Sequence, residues 1–177
     1  LRVVTGHGNV GFSAGCNLGA AWTTGDLLLF LNPDAALPPG TLARCRAVLD
    51  AHPEAWALGV RLRNTDGTDQ RGSRRNLPDP WSSLVEVLRL DRLGIGRRVN
   101  LHESPAGDSV VPVDCISGAF MLLRRRVFDE IGGFDAGYFL HVEDIDLCME
   151  IRRRAGTILF APSIEVTHLQ GTSRVFS

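Results

Sequence analysis

Leu28-Leu29-Phe30-Leu31-Asn32-Pro33-Asp34 is an apolar run that ends in a carboxylate. Leu27 to Leu31 is far too short to span a membrane and suits a buried strand. In open α/β sheets, ligands bind at the C-terminal ends of strands. An Asp at that end, beside Asn32, suits a hard divalent cation that also touches phosphate oxygens. Asn-Pro-Asp alone is also a turn signal, so its meaning depends on the rest of the chain.

Working outward, residues 1–5 read as a strand and residues 11–24 as a helix behind a glycine loop. Downstream, Pro38-Pro39-Gly40 breaks the chain. Thr41 is placed to cap a helix that runs to about His52, and residues 55–62 read as a further strand. This β-α-β-α-β order predicts an α/β layered domain with parallel strands. Residues 63–112 are rich in Gly, Pro and Arg and read as irregular, mobile loop around a short helix over 81–93. Order returns with a strand over 119–123 and a short helix over 125–131, ended by Gly132-Gly133. A helix over 142–154 follows, then a strand over 157–161 closed by Pro162.

The bulk numbers narrow the function classes. The chain has 177 residues, enough for one domain with a sizeable core, and 44% of them are hydrophobic. Its 19 basic and 20 acidic residues give a net charge of −1, so no global field points to nucleic acid. Every basic residue is Arg. The four cysteines, Cys16, Cys45, Cys115 and Cys148, form no CxxC pair and point to a reducing cytosol. The chain opens on Leu1 and reads as the middle of a domain.

Three further constellations carry chemistry. Asn9 to Gly19 is a glycine-rich stretch before a helix, able to approach a ligand closely or simply to pack tightly. Glu143, Asp144 and Asp146 crowd the first turn of a helix. Acidic residues there complement the helix dipole, but three of them behind the aromatic Tyr138-Phe139 exceed what capping needs, and one can serve as a general base. His168 follows a strand; a lone His is usually a satisfied residue, but with Asp34 it is a candidate metal ligand.

Taken in order, these stretches resemble glycosyltransferase family 2, particularly its rhamnosyltransferase-like members. The pattern N-x-G-F-x-x-G-x-N falls on Asn9 to Asn17, L-N-P-D on Leu31 to Asp34, and S-G-A-F-M-L-x-R on Ser117 to Arg124. The pattern G-G-F-D-x-x-Y-F-x-x-x-E-D-x-D-L falls on Gly132 to Leu147, and the last motif, H-x-x-x-S, is matched by His168 to Ser173 with one residue more between the His and the Ser. The resemblance implies a GT-A-like α/β fold with a mixed, mainly parallel sheet flanked by helices. It also implies a single partial catalytic domain over 1–177, lacking its first strands and carrying 63–112 as a flexible acceptor-side insertion.

The resemblance further implies an inverting, metal-dependent transferase. It would move a sugar from a dTDP- or UDP-sugar to a saccharide or lipid-linked acceptor in cell-surface polysaccharide synthesis. Asp144 matches the catalytic base. Gly11, Asn17, Asn32, Asp34 and Gly118 match donor-binding positions. Ser117, Glu143 and Asp146 lie on the acceptor side or behind it, and Asp34 with His168 would hold Mg²⁺ or Mn²⁺. A homodimer is expected from an exposed sheet edge, in the cytoplasm, with peripheral contact at the membrane face allowed. The competing reading is a non-catalytic relic or binding module of the same fold. A nucleotidyltransferase is disfavoured because no lysine is present.

Overall fold

The computed structural model describes residues 2–77, 107–139 and 142–169. The expected helix over 81–93, most of the 63–112 insertion and the Ser173 end of the last motif lie outside the described residues.

Four helices and eight strands lie among the described residues. The helices are α1 (Gly11–Ala21), α2 (Thr41–Ala51), α3 (Arg125–Ile131) and α4 (Glu143–Arg153). The strands are β1 (Leu27–Leu31), β2 (Ala35–Ala36), β3 (Ala55–Arg63), β4 (Arg74–Arg75), β5 (Val111–Val113), β6 (Cys115–Ile116), β7 (Phe120–Arg124) and β8 (Thr157–His168). The main sheet is mixed, in the order β1-β7-β3-β8-β2, with β5 also on β8. Its central pair, β3 with β8, is parallel. Because β7 is antiparallel to both β1 and β3, strands β1, β3 and β8 all run in one direction. Their C-terminal ends therefore share an edge of the sheet.

Alternation along the strands feeds two cores. Met121, Leu123, Ile158 and Phe160 face α1, α3 and α4, where they meet Ala20, Phe128, Leu147 and Ile151. Phe120, Leu122, Leu159 and Ala161 face α2, where they meet Cys45 and Leu49. Helices thus cover both faces, as an α/β layered domain requires. Phe30, Phe128 and Phe134 form an aromatic knot on the first face, with the Phe30 and Phe134 centroids 4.9 Å apart and nearly perpendicular.

Gly59 sits in the middle of β3 because the Ile116 side chain lies on it; an added Cβ would stand 2.8 Å from the Ile116 Cβ. Gly59→Ala should therefore destabilise the protein by about 1–3 kcal/mol through overpacking. Chemical denaturation checks this.

Three expectations need correction. Residues 2–5 form no strand; none of the described strands pairs with them, and Arg2 lies over the Trp22 ring, 3.7 Å from its centroid. Thr41 is the first helical residue and not the cap: Gly40 takes the cap position with φ 80°, and the Thr41 hydroxyl donates to Pro38 O at 2.8 Å. Pro162 does not close the last strand. Val60 pairs with Ala161 and Arg61 with Glu165, so residues 162–164 bulge out and the strand resumes. A bulge accommodates a proline that cannot donate to the ladder, and here it lets β8 continue to His168. The start of the 63–112 stretch is ordered by pairing, with β4 antiparallel to β6 and Asp69 bridged to Arg63.

Strand β1 has a partner on one side only among the described strands. Its outer side and α1 line a groove of about 480 Å³ that includes Trp22 and Leu27 to Leu31.

Candidate active site

The C-terminal edge of the sheet brings Asp34 and His168 together. Asp34 ends the turn after β1, and β2 then pairs antiparallel with β8 so that Ala35 lies opposite His168. Leu169 N donates to Asp34 O at 3.0 Å and locks this register. The result places His168 Nε2 3.0 Å from Asp34 Oδ1 and 3.2 Å from Asn32 Nδ2. Both side chains are nearly closed to solvent, His168 at 9% and Asp34 at 8% exposure. The other ring nitrogen, Nδ1, lies 2.8 Å from Gln70 Oε1.

A carboxylate oxygen beside an imidazole nitrogen is a donor set that suits Mg²⁺ or Mn²⁺. Among the described residues no cluster of three or more His, Cys, Asp and Glu forms a fuller cage. A small protein share is the habit of Mg²⁺ that also binds substrate phosphates. The residues present therefore fit the implied cation.

Asp144 occupies a second centre. It lies in the first turn of α4 with Glu143 and Asp146. Its Oδ2 accepts from Gly118 N at 3.0 Å and pairs with Arg75 Nη2, while Oδ1 accepts from Ile145 N at 2.8 Å. Both partners of the ion pair are mostly covered, Arg75 at 19% and Asp144 at 15% exposure. Burial works against the Arg75 charge, yet Asp144, with Cys115 and Cys148, holds the guanidinium above its ordinary value. The helix begins at Val142 with φ 73°, a left-handed conformation that is strained for a β-branched residue.

The two centres meet at one loop. Ser117 Oγ accepts from Ala119 N at 3.3 Å, Gly118 N reaches Asp144, and Ala119 O accepts from Asn32 N at 3.1 Å. Asn32, two residues before Asp34, and Asp144 thus bond neighbouring residues of this loop. Gly118 stands so close to Asp144 that an added Cβ would lie 3.4 Å from its Cβ.

The remaining candidates lie around these two centres as follows. Glu143 is buried, and its Oε2 finds no hydrogen-bond partner among the described residues. Burial, and after it the neighbouring Glu143 carboxylate, pushes the Cys16 thiol up to about 12. Asp146 is half-buried on the same turn. Gly11 opens α1 with φ 82°, and an added Cβ would meet Phe139 O at 2.5 Å. Asn17 has both ends of its amide bound to one backbone unit, donating to Phe134 O at 2.8 Å and accepting from Phe134 N at 3.0 Å. It clamps α1 to the Gly133-Phe134 turn. Asn17→Ala should therefore cost roughly 1–3 kcal/mol of stability by leaving that backbone unpaired, read as a fall in the thermal midpoint.

Two residues of this site escaped the sequence reading, Gln70 and Arg75. Both fall in the arginine-rich stretch that looked irregular, and neither carries a local motif. Strand β4, which sets Arg75 opposite Cys115 on β6, consists of two arginines and gives no apolar alternation to announce it.

Comparison with known proteins agrees with the motif order. The chain is 29% identical over 167 residues to an N-acetylglucosaminyl-diphospho-decaprenol L-rhamnosyltransferase of Mycobacterium tuberculosis, covering 85% of this chain and 48% of that protein. It is 30% identical over 143 residues to rhamnosyltransferase WbbL of Escherichia coli K12, covering 81% and 52%. The chain thus spans about half the length of these curated relatives. A crystal structure of GalNAc-T7 with UDP, GalNAc and Mn²⁺ superposes with a TM-score of 0.60 at 16% identity, over 90% of this chain and 30% of that one. That likeness is one of fold and agrees with the GT-A arrangement. The family described as Glycosyltransferase like family 2 matches residues 1–177 from end to end, and the chain belongs to it.

Proposed function

We propose that this chain carries the catalytic centre of an inverting hexosyltransferase that moves a sugar, rhamnose by analogy with its relatives, from a dTDP- or UDP-sugar to a saccharide or lipid-linked acceptor. The observation that carries the reading is that one loop, residues 117–119, bonds both Asp144 and Asn32, and Asn32 in turn lies 3.2 Å from His168 of the Asp34–His168 pair. One centre suits the diphosphate side of a donor and the other suits a proton acceptor.

Asp144 Oδ1 accepts a single hydrogen bond among the described residues and so keeps a lone pair for an acceptor hydroxyl. As the hydroxyl oxygen bonds to the anomeric carbon, its proton passes to Asp144 and the bond from that carbon to the diphosphate oxygen breaks. One displacement inverts the anomeric centre. Gly118 N–H and Arg75 hold the Asp144 carboxylate in place throughout. A divalent cation held by Asp34 and His168 supplies charge neutralisation on the departing diphosphate.

Polysaccharide synthesis on lipid carriers places such an enzyme at the cytoplasmic membrane face. None of the described helices is long and apolar enough to cross a membrane. The one-sided β1 edge suits further strands or a second copy. Sedimentation of the 177-residue chain against a longer product tells these apart.

The test is transfer. The protein, given Mn²⁺, dTDP- and UDP-hexoses and a lipid-diphosphate-linked sugar, should form a glycoside of inverted configuration. Calorimetry showing no Mn²⁺-dependent binding of either nucleotide sugar would favour the binding-module reading and sink this one.

A further inference from the structure

We propose that Gln70 is a positioning residue that fixes the ring proton of His168 on Nδ1 and keeps the Nε2 lone pair turned toward Asp34. The proposal rests on the reading of Asp34 and His168 as cation ligands. It follows from the direction of a hydrogen-bond chain that begins at Asp66 and runs through residues the motifs do not touch.

The chain starts at a group that can only accept. Asp66 Oδ1 takes Thr68 N at 2.9 Å and the Thr68 hydroxyl at 2.6 Å. These two bonds hold the Asp66 carboxyl below its ordinary range. With its proton committed to Asp66, Thr68 Oγ1 can only accept, and it accepts from Asn64 Nδ2 at 2.9 Å. Asn64 Oδ1 then faces Gln70 Nε2 at 3.5 Å. That orients the Gln70 amide with Oε1 toward His168 Nδ1, at 2.8 Å. A carbonyl oxygen cannot donate, so Nδ1 must carry the proton.

The opposite amide orientation fails at two places. It would set Gln70 Oε1 against Asn64 Oδ1, two acceptors, and it would ask Nδ1 to accept. Then Nε2 would hold the proton, and the imidazole would have no lone pair for a cation. Water cannot substitute for Gln70, which is only 2% exposed. The backbone holds it there: Gln70 N donates to Leu62 O at 2.9 Å, and Gln70 O accepts the Ser73 hydroxyl at 2.8 Å. With Nδ1 protonated, Nε2 is an acceptor that has the Asn32 Nδ2 donor at 3.2 Å on one side and a second acceptor, Asp34 Oδ1, at 3.0 Å on the other. Such a pair is brought together by a shared proton or by a cation. Metal-bound histidines commonly donate their second nitrogen to a carbonyl or carboxylate for this reason.

The experiment uses the purified protein with ¹⁵N-labelled histidine, at alkaline pH so that the neutral ring carries one proton. Ring nitrogen shifts of His168 report the tautomer without any metal or substrate. Wild type should show the proton on Nδ1. Gln70→Glu, which keeps an acceptor oxygen, should retain that tautomer. Gln70→Met, similar in length but without an acceptor, should move the ring to mixed or Nε2-protonated forms, and its Mn²⁺ affinity should fall about 10–100-fold by calorimetry. Melting curves confirm that both variants fold, and Gln70→Glu decides alone should Gln70→Met not fold. A wild-type ring protonated on Nε2, or a Gln70→Met ring still protonated on Nδ1, overturns the proposal. Failure of the cation reading looks different: Asp34→Asn and His168→Ala would then bind Mn²⁺ as wild type does, while the tautomer result still decides the role of Gln70.

Discussion

Asp144→Asn should lower sugar transfer by about 10²–10⁴-fold while leaving nucleotide-sugar affinity nearly unchanged. The amide matches the carboxylate in size. With its oxygen at the Oδ2 position it keeps the bonds from Gly118 N and Arg75, so the loop at residues 117–119 stays in place. What it loses is the capacity to take a proton at Oδ1, where its NH₂ group would instead face the Ile145 amide. The cost to folding is therefore local and the cost to chemistry is large. Single-turnover kinetics beside donor calorimetry separates the two. Full turnover in Asp144→Asn would pass the role of base to Glu143, Asp146 or a group on the substrate. The setting of Glu143 disfavours that transfer, because its side chain is buried.

The legible parts of the fold were those with local causes. The apolar run ending at Asp34, the double glycine after Ile131 and the acidic start of α4 each read directly, because strand burial, helix stops and helix dipoles act over a few residues. The pairing of Asp34 with His168 came from motif order, which stands in for long-range contact. The illegible parts depended on tertiary partners. Pro162 looked like a stop, yet a bulge opposite β3 carries β8 past it to His168. Asn17 looked free to meet a ligand, yet both ends of its amide are spent on Phe134. Gln70 and Arg75 lay in a stretch with no periodicity, and only the turn that returns the chain from β3 to β4 brings them to the site. Side chains that orient other side chains leave little trace in pattern, since any short polar residue at the right depth would read alike.

Asp34→Asn should fail differently from Asp144→Asn. Asp34 Oδ1 lies 3.0 Å from His168 Nε2, and both side chains are closed to solvent. An asparagine there can turn its NH₂ group to the Nε2 lone pair, so the pair becomes an ordinary donor and acceptor and the protein keeps its melting temperature. The negative charge is gone, however, and the imidazole nitrogen is engaged by a hydrogen bond. A cation would lose one ligand outright and compete for the other. Mn²⁺ affinity should fall by about 100-fold or more, since losses of 10–100-fold already follow from changes one shell further out. On the proposed reading, a cation held by Asp34 and His168 would neutralise the diphosphate both when the donor binds and when it departs. Donor affinity and turnover should therefore drop together, and excess Mn²⁺ should restore part of both. Calorimetric titration of donor across a range of Mn²⁺ concentrations is the measurement. Donor binding in Asp34→Asn that keeps the wild-type Mn²⁺ dependence would place the cation away from Asp34 and leave the Asp34–His168 pair with a purely structural role at the end of β8.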